Sequence, residues 1–192
     1  MGERDFGEHH LSRIPASNDG QQWFAVRVKS NRERVVADAL RGHGYEEFLP
    51  TFRHPKDTLS RSGSPEKPMF PGYVFGKFDQ NKRLPILMVP GVLHIVGIGK
   101  EPVPIDSTEI ASIRVIANSP FCAEPCSYIG IGQSVSVVCG PLTGAQGVIL
   151  AVKNQWRLVA SLTLLQRSIA VEIDREWVEP CGSNNSFATE RC

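Results

Sequence analysis

Aromatic side chains are concentrated in the segment FPGYVF, which covers residues 70–75. Successive side chains of a strand alternate between two faces, so Tyr73 and Phe75 share one face while Val74 and Phe78 share the other. If Val74 and Phe78 serve the core, the opposite face is left for a partner, and aromatic residues are enriched where proteins bind one another. The pattern is therefore compatible with noncovalent binding through Phe70, Tyr73 and Phe75, with packing of these rings in the core as the alternative.

Three basic residues, Lys29, Arg32 and Arg34, lie where a predicted strand passes into a predicted helix. Positive charge at a helix N-terminus opposes the helix dipole and lowers stability, which favours a use beyond covering the surface. Phosphate groups require only positioned lysine and arginine side chains for binding. We predict nucleic-acid contact at this basic cluster, with a solvated surface as the alternative.

The sequence lacks the spacing patterns of catalytic and metal sites. Its histidines are scattered, and its five cysteines are an odd number without a zinc-type spacing. An enzyme that uses Cys122 or Cys139 is an alternative, weakened because no histidine and carboxylate can be placed beside either thiol. We predict a protein that is not an enzyme, binds no metal and needs no cofactor.

The elements that position these residues form two groups. Residues 21–118 give the order β-α-β-β-α-β-α, which predicts an antiparallel sheet with flanking helices. Ser30 with Glu33 and Asp106 with Glu109 have the spacing of capping boxes at two helix starts. Residues 130–180 give five short strands, which predict a small SH3-like barrel. The predicted fold class is therefore α+β, followed by an all-β barrel.

The remaining segments are predicted to lack regular structure. Residues 1–20 and 181–192 are polar and without periodicity, as in a disordered arm and tail. Residues 119–129 have the composition of a linker, so we expect two independent domains. In residues 148–173, β-branched side chains favour strands over a helical alternative.

Charge differs between the two predicted domains. The 192 residues carry 21 Lys and Arg against 20 Asp and Glu, which excludes a uniformly basic nucleic-acid coat. Residues 21–118 hold fourteen basic and ten acidic residues, whereas residues 130–180 hold four of each. No apolar run approaches the roughly 20 residues of a membrane helix, and the N-terminus lacks a signal-peptide core. We therefore predict a cytoplasmic protein without membrane contact, whose attraction to nucleic acid belongs to the first domain.

Two sets of motifs in the sequence resemble those of a known protein family. The glycine and valine spacing from Gly132 to Ile149, which includes Gly140-Pro141 and Gly147, resembles a KOW motif. The landmarks of the NusG N-terminal domain are matched in order by Trp23-Phe24-Ala25-Val26, Phe70-Pro71-Gly72-Tyr73-Val74, Val89-Pro90-Gly91-Val92 and Pro104-Ile105. Over residues 22–179 the chain thus resembles the NusG family of transcription elongation and antitermination factors.

The resemblance implies partners and contact residues. The N-terminal domain is expected to bind the clamp helices of the largest RNA polymerase subunit, and thereby to suppress pausing. The KOW domain is expected to recruit a second factor, either termination factor Rho or the ribosomal protein NusE. The implied polymerase contacts are Phe70, Tyr73 and Phe75, with Val26 and Ile95 as weaker candidates. The basic cluster is expected to meet the non-template DNA strand, and the protein is expected to be a monomer.

Two departures from the general factor refine this interpretation. Leu165 stands where that factor has a phenylalanine in the KOW loop, a departure that weakens the expected contact with Rho or NusE. Leu164, Leu165 and Arg167 are the predicted partner-binding residues of this domain. The stretch from Gly91 to Val96 is similar to that of RfaH-type specialised paralogues, which favours an operon-specific antiterminator over a housekeeping factor. An RNA-binding, ribosome-associated KOW protein is an alternative of another class, weakened by the neutral charge of residues 130–180.

Overall fold

The computed structural model describes residues 20–52, 66–121, 123–127, 132–152 and 155–181. Its helices are α1 (Glu33–Gly42), α2 (Leu84–Leu87) and α3 (Ser107–Asn118). Its strands are β1 (Gln22–Val28), β2 (Glu46–Phe48), β3 (Thr51–Phe52), β4 (Lys67–Pro68), β5 (Tyr73–Phe78), β6 (Val92–Ile95), β7 (Gly97–Ile98), β8 (Glu101–Pro102), β9 (Glu124–Ser127), β10 (Gln133–Val137), β11 (Gln146–Val152), β12 (Gln155–Leu162), β13 (Arg167–Glu172) and β14 (Val178–Pro180). None of the described helices has the length and apolarity needed to cross a membrane.

The N-terminal sheet has four strands in the order β2-β5-β1-β6, paired antiparallel. Val26 on the central strand lies opposite Val74 on one side and Ile95 on the other. Pro50 separates the edge strand β2 from the short strand β3, as expected for a residue that cannot donate to a ladder. The predicted antiparallel sheet with flanking helices is confirmed.

One face of the N-terminal sheet packs on α1 and α2. Phe24 and Phe78 stack with ring centroids 4.6 Å apart, and both are buried. They form an apolar cluster with Val74 of the same face, Leu40 of α1 and Ile86 of α2. Val74 and Phe78 therefore serve the core, as their alternation in the sequence predicts.

The starts of α1 and α3 differ from the predicted capping boxes. At α1, Arg32 occupies the cap position without a side-chain cap, and the Glu33 carboxylate instead accepts a hydrogen bond from the Gly72 N–H at 2.7 Å. At α3, Asp106 caps as predicted, because its carboxylate accepts from the backbone N–H and the hydroxyl of Thr108. These two bonds stabilise the ionised form and lower the pKa of Asp106. Both predicted capping boxes are thus wrong in the contact assigned to the glutamate, because Glu33 and Glu109 bond to residues distant in the sequence.

The C-terminal sheet, β9 to β14, is all-β as predicted, with the strand order β14-β10-β11-β12-β13-β9. Strands β11, β12 and β13 cover most of residues 148–173, so the helical alternative is absent from this described part of the chain. Residues 124–127, assigned to a linker by composition, form the edge strand β9 and pair with β13. Pro125 is tolerated there because an edge strand leaves one side of its backbone unpaired.

The two sheets are in contact through α3. A single apolar cluster contains Phe75 of the N-terminal sheet, Ile113 and Ile116 of α3, and Leu158 and Ile169 of the C-terminal sheet. The Ser112 hydroxyl of α3 also accepts a hydrogen bond from the Gln146 N–H at 2.9 Å. The arrangement is therefore packed, whereas the composition of residues 119–129 had suggested independent domains.

Candidate functional site

A tight turn presents the aromatic residues that the sequence singles out. The Tyr73 N–H donates to the Phe70 carbonyl at 3.1 Å, which closes a four-residue turn with Pro71 and Gly72 at its centre. Gly72 has a φ of +82°, the left-handed value that a type II turn requires at this position and that favours glycine. The turn places Phe70 at its start and Tyr73 at the beginning of β5, and we call Phe70, Tyr73 and Phe75 the aromatic face.

The five predicted polymerase contacts differ in exposure. Phe70, Phe75 and Val26 are buried, with 1%, 0% and 0% of their surface exposed, whereas Tyr73 and Ile95 are half-buried. The Phe75 ring lies edge-on to Phe70, with centroids 5.7 Å apart. Val26 and Ile95 pair with each other and pack with Val74 on the opposite face of the sheet, so they do not belong to the aromatic face. On the aromatic face Tyr73 keeps some exposed surface, while Phe75 lies within the cluster shared with the C-terminal sheet.

Tyr73 has two arginine neighbours. The guanidinium carbon of Arg27 lies 4.6 Å from the centroid of its ring, and that of Arg167 lies 5.5 Å away. Both distances are within the range of cation–π contacts. Arg27 carries no motif that marks it in the sequence, and its position directly opposite Tyr73 follows only once β1 and β5 are paired.

The predicted partner site of the C-terminal sheet lies on the same side of the molecule. Residues Thr163–Leu165 form a helical turn between β12 and β13, and with Arg167 they make up what we call the 163–167 tip. Leu164 and Leu165 pack on the shared apolar cluster, and Arg167 reaches Tyr73. The structure thus brings two separately predicted sites, the aromatic face and the tip, into direct contact.

A polar contact fixes the tip against α3. The Glu109 carboxylate accepts a hydrogen bond from the Thr163 hydroxyl at 2.7 Å, with the Thr163 backbone N–H at 3.4 Å. Glu109 was predicted to close a capping box within its own helix, so its role across the two sheets was not visible in the sequence. Hydrogen bonds to a charged group are among the stronger ones, so Glu109 stabilises the packed arrangement.

The basic cluster is exposed, as a nucleic-acid contact requires. Arg34 donates to the Glu66 carbonyl at 3.0 Å and lies 3.8 Å from the Glu66 carboxylate. The side chains of Lys29 and Arg32 form no ion pair within the described part of the chain. Lys29 and Arg32 are therefore more available to an anionic partner than Arg34.

The described residues lack clustered metal ligands, and Cys139, one of the thiols considered above, is held in a disulfide. They contain no group of three or more His, Cys, Asp or Glu that could hold a metal ion. Burial raises the pKa of the free Cys126 thiol, and the nearby Arg157 only partly opposes this effect. A raised pKa disfavours the nucleophilic thiolate. Cys122, one of the two thiols considered above, lies outside the described residues.

Comparisons with known proteins agree with the sequence motifs. Residues 21–114 match the family model of the transcription termination factor NusG. The chain is 25% identical over 170 residues to the transcription termination/antitermination protein NusG of Helicobacter pylori, with 82% of this chain and 97% of that protein covered. It is 27% identical over 173 residues to the NusG of Pseudomonas aeruginosa, with 83% and 98% covered.

The fold also has a solved counterpart. A structure of domain interaction in Thermotoga maritima NusG matches with a TM-score of 0.52 and 19% identity, and covers 86% of this chain and 99% of that one. At this level of identity, the match supports the fold alone.

Proposed function

We propose that this chain, which belongs to the NusG family of transcription termination/antitermination factors, binds RNA polymerase through the aromatic face. Its homologues are transcription factors and not enzymes. The observation that carries the proposal is the Phe70–Tyr73 turn, which holds a half-buried tyrosine beside two buried phenylalanines. Interfaces draw much of their affinity from such aromatic anchors.

The proposed target is the pair of clamp helices of the polymerase largest subunit. Two packed helices offer a ridge of apolar side chains, and the aromatic face offers a complementary apolar surface. Binding there would hold the clamp in the form that elongates without pausing. A partner in RNA polymerase also implies that the protein works in the cytoplasm.

Docking at this face requires the C-terminal sheet to move away. Phe75 has no exposed surface, and the Tyr73 ring carries Arg167 above it. While the 163–167 tip remains in place, a polymerase helix cannot contact the Phe75 ring and can contact only part of the Tyr73 ring. We therefore propose that binding proceeds from an open form, in which the contacts of α3 with β11 and β12 have been released.

The tip is the proposed site for a second partner. Leu164, Leu165 and Arg167 provide an apolar surface with one positive charge at its edge. The partner is either Rho or the ribosomal protein NusE in a housekeeping factor, or a different protein in an operon-specific paralogue. The leucine at 165, in place of the phenylalanine of the general factor, favours the specialised role.

The basic cluster is the proposed contact with non-template DNA. Lys29 and Arg32 are exposed and lack ion pairs within the described residues, so their charges are available to phosphate groups. They lie at the junction of β1 and α1, and β1 also carries Arg27, whose guanidinium contacts the Tyr73 ring. One end of the N-terminal sheet would therefore meet both the polymerase and the DNA strand that it displaces.

Transcription by purified RNA polymerase on a pause-containing template tests the proposal. The full-length chain should shorten the pause, and the Tyr73→Ala variant should do so only at higher concentration. Failure of the wild-type chain to bind polymerase or to alter pausing would overturn the proposed function.

A further inference from the structure

Glu33 is a buried carboxylate that the proposed binding residues do not account for. Only 6% of its surface is exposed, although it lies in the first turn of α1, where the neighbouring Arg32 and Arg34 are exposed. No ion pair involves Glu33 within the described residues. Burial of an unpaired charge is costly, so this position demands a specific contact.

That contact is with the turn that carries the aromatic face. The Glu33 Oε1 accepts a hydrogen bond from the Gly72 N–H at 2.7 Å. In a turn closed from Tyr73 N–H to Phe70 C=O, the N–H at the Gly72 position points outward and finds no partner within the turn. Glu33 satisfies this N–H, and the N-terminal end of α1 favours its negative charge.

The opposite side of Gly72 is held as well. Its carbonyl accepts a hydrogen bond from the Val28 N–H at 2.9 Å, so the two peptide groups on either side of Gly72 are held, one from α1 and the other from β1. A Cβ atom at position 72 would lie 2.5 Å from a guanidinium nitrogen of Arg27, the residue that also lies over the Tyr73 ring. The turn therefore has little freedom once Glu33, Val28 and Arg27 are in place.

We infer that Glu33 is a positioning residue for polymerase binding, which acts through the Gly72 N–H to hold Phe70 and Tyr73 in their binding geometry. The inference rests on the proposed function of the aromatic face. The start of α1 would then serve two contacts, because Glu33 holds the turn of the aromatic face and Arg32 belongs to the basic cluster. Loss of the carboxylate would leave a buried N–H unsatisfied and allow the turn to reorient before a partner binds.

Three substitutions in the full-length chain separate positioning from general stability. Glu33→Gln keeps an oxygen that can accept from Gly72, Glu33→Asp keeps the charge but is one methylene too short, and Glu33→Ala removes both. The matched control is Asp38→Ala, which removes an exposed carboxylate from the same helix. Binding to RNA polymerase and hydrogen exchange of the Gly72 amide are measured for each, with thermal unfolding as the test of folding.

Glu33→Asp and Glu33→Ala should each weaken polymerase binding about tenfold and speed exchange at Gly72 by a similar factor, the scale of a lost buried hydrogen bond. Glu33→Gln should stay within about threefold of wild type, because it retains the acceptor. If Glu33→Ala does not fold, the aspartate and glutamine variants still decide. Wild-type affinity in a folded Glu33→Asp variant, or equal loss in Glu33→Gln, would overturn the inference, whereas absence of wild-type binding would instead overturn the proposed function.

Discussion

The guanidinium of Arg167, in the 163–167 tip, lies over the ring of Tyr73, the first residue of β5, with 5.5 Å between the guanidinium carbon and the ring centroid. Each residue belongs to a surface that the sequence assigns to a different partner. Because the two surfaces cover each other, a partner that binds one of them has to compete with the contact between them. Polymerase binding and recruitment by the tip are therefore expected to be thermodynamically linked.

The first prediction concerns Tyr73 as an anchor. Tyr73→Ala should weaken binding to RNA polymerase by about tenfold or more, the scale of an interface hot spot. Thermal unfolding should change little, because the side chain is only half-buried. Trp156→Ala is the matched control, since Trp156 is 39% exposed on β12 and lies outside both proposed sites. Equal affinities of the two variants would contradict the assignment of Tyr73.

The second prediction concerns the contact between the tip and α3. Glu109→Ala removes the acceptor for the Thr163 hydroxyl and should populate the open form. Apparent affinity for polymerase should then rise about threefold to tenfold, the scale of one solvent-exposed hydrogen bond. Thr163→Val should produce a similar gain, and the double variant should add little to either. Lower affinity in a folded Glu109→Ala variant would show that the packed form is the one that binds.

The third prediction concerns the basic cluster. Lys29→Ala combined with Arg32→Ala should reduce the effect on elongation more at low than at high salt, because salt screens contacts between exposed charges and phosphates. Arg34→Ala is the matched control and should have a smaller effect, since Arg34 already contacts Glu66. A loss of activity that is independent of salt would indicate damage to the fold instead.

The fourth prediction concerns acid and the start of α3. The folded-state pKa of Asp106 is lowered by its bonds to Thr108, so its stabilising effect is present above the unfolded pKa and is lost as pH falls through the folded pKa. Asp106→Asn has a side chain that caps without titrating. The difference in unfolding temperature between wild type and Asp106→Asn should therefore shrink as pH is lowered from 7 into the acid range below the ordinary aspartate pKa. A difference that stays constant over this range would contradict the assignment.

Local patterns were sufficient to predict the sheets and part of the site. Alternation in β1 and β5 identified the two faces, and it assigned Val74 and Phe78 correctly to the core. The Asp106 cap was also predictable, because a cap depends on residues two or three positions apart. These features arise from contacts that are short in sequence or follow directly from strand periodicity.

The glutamates show where local patterns fail. Glu33 and Glu109 both have capping-box spacing, yet each bonds to a residue 39 or 54 positions away. The spacing of the neighbouring residues predicts the capping box, but nothing near either glutamate in the sequence indicates the distant residue to which it bonds. The burial of Phe75 was missed for the same reason, since it depends on α3 and the C-terminal sheet packing on that face.

The central claim is that polymerase binding at the aromatic face releases the 163–167 tip. The most direct measurement is NMR of the full-length chain, with labels at Tyr73, Thr163 and Arg167, during titration with RNA polymerase clamp helices. We predict that the signals of Tyr73 broaden or shift as it enters the interface, and that Thr163 and Arg167 move together to the positions they have in a Glu109→Ala variant. Perturbation of Tyr73 without change at Thr163 and Arg167, or no perturbation of Tyr73 at saturating clamp helices, would contradict the account.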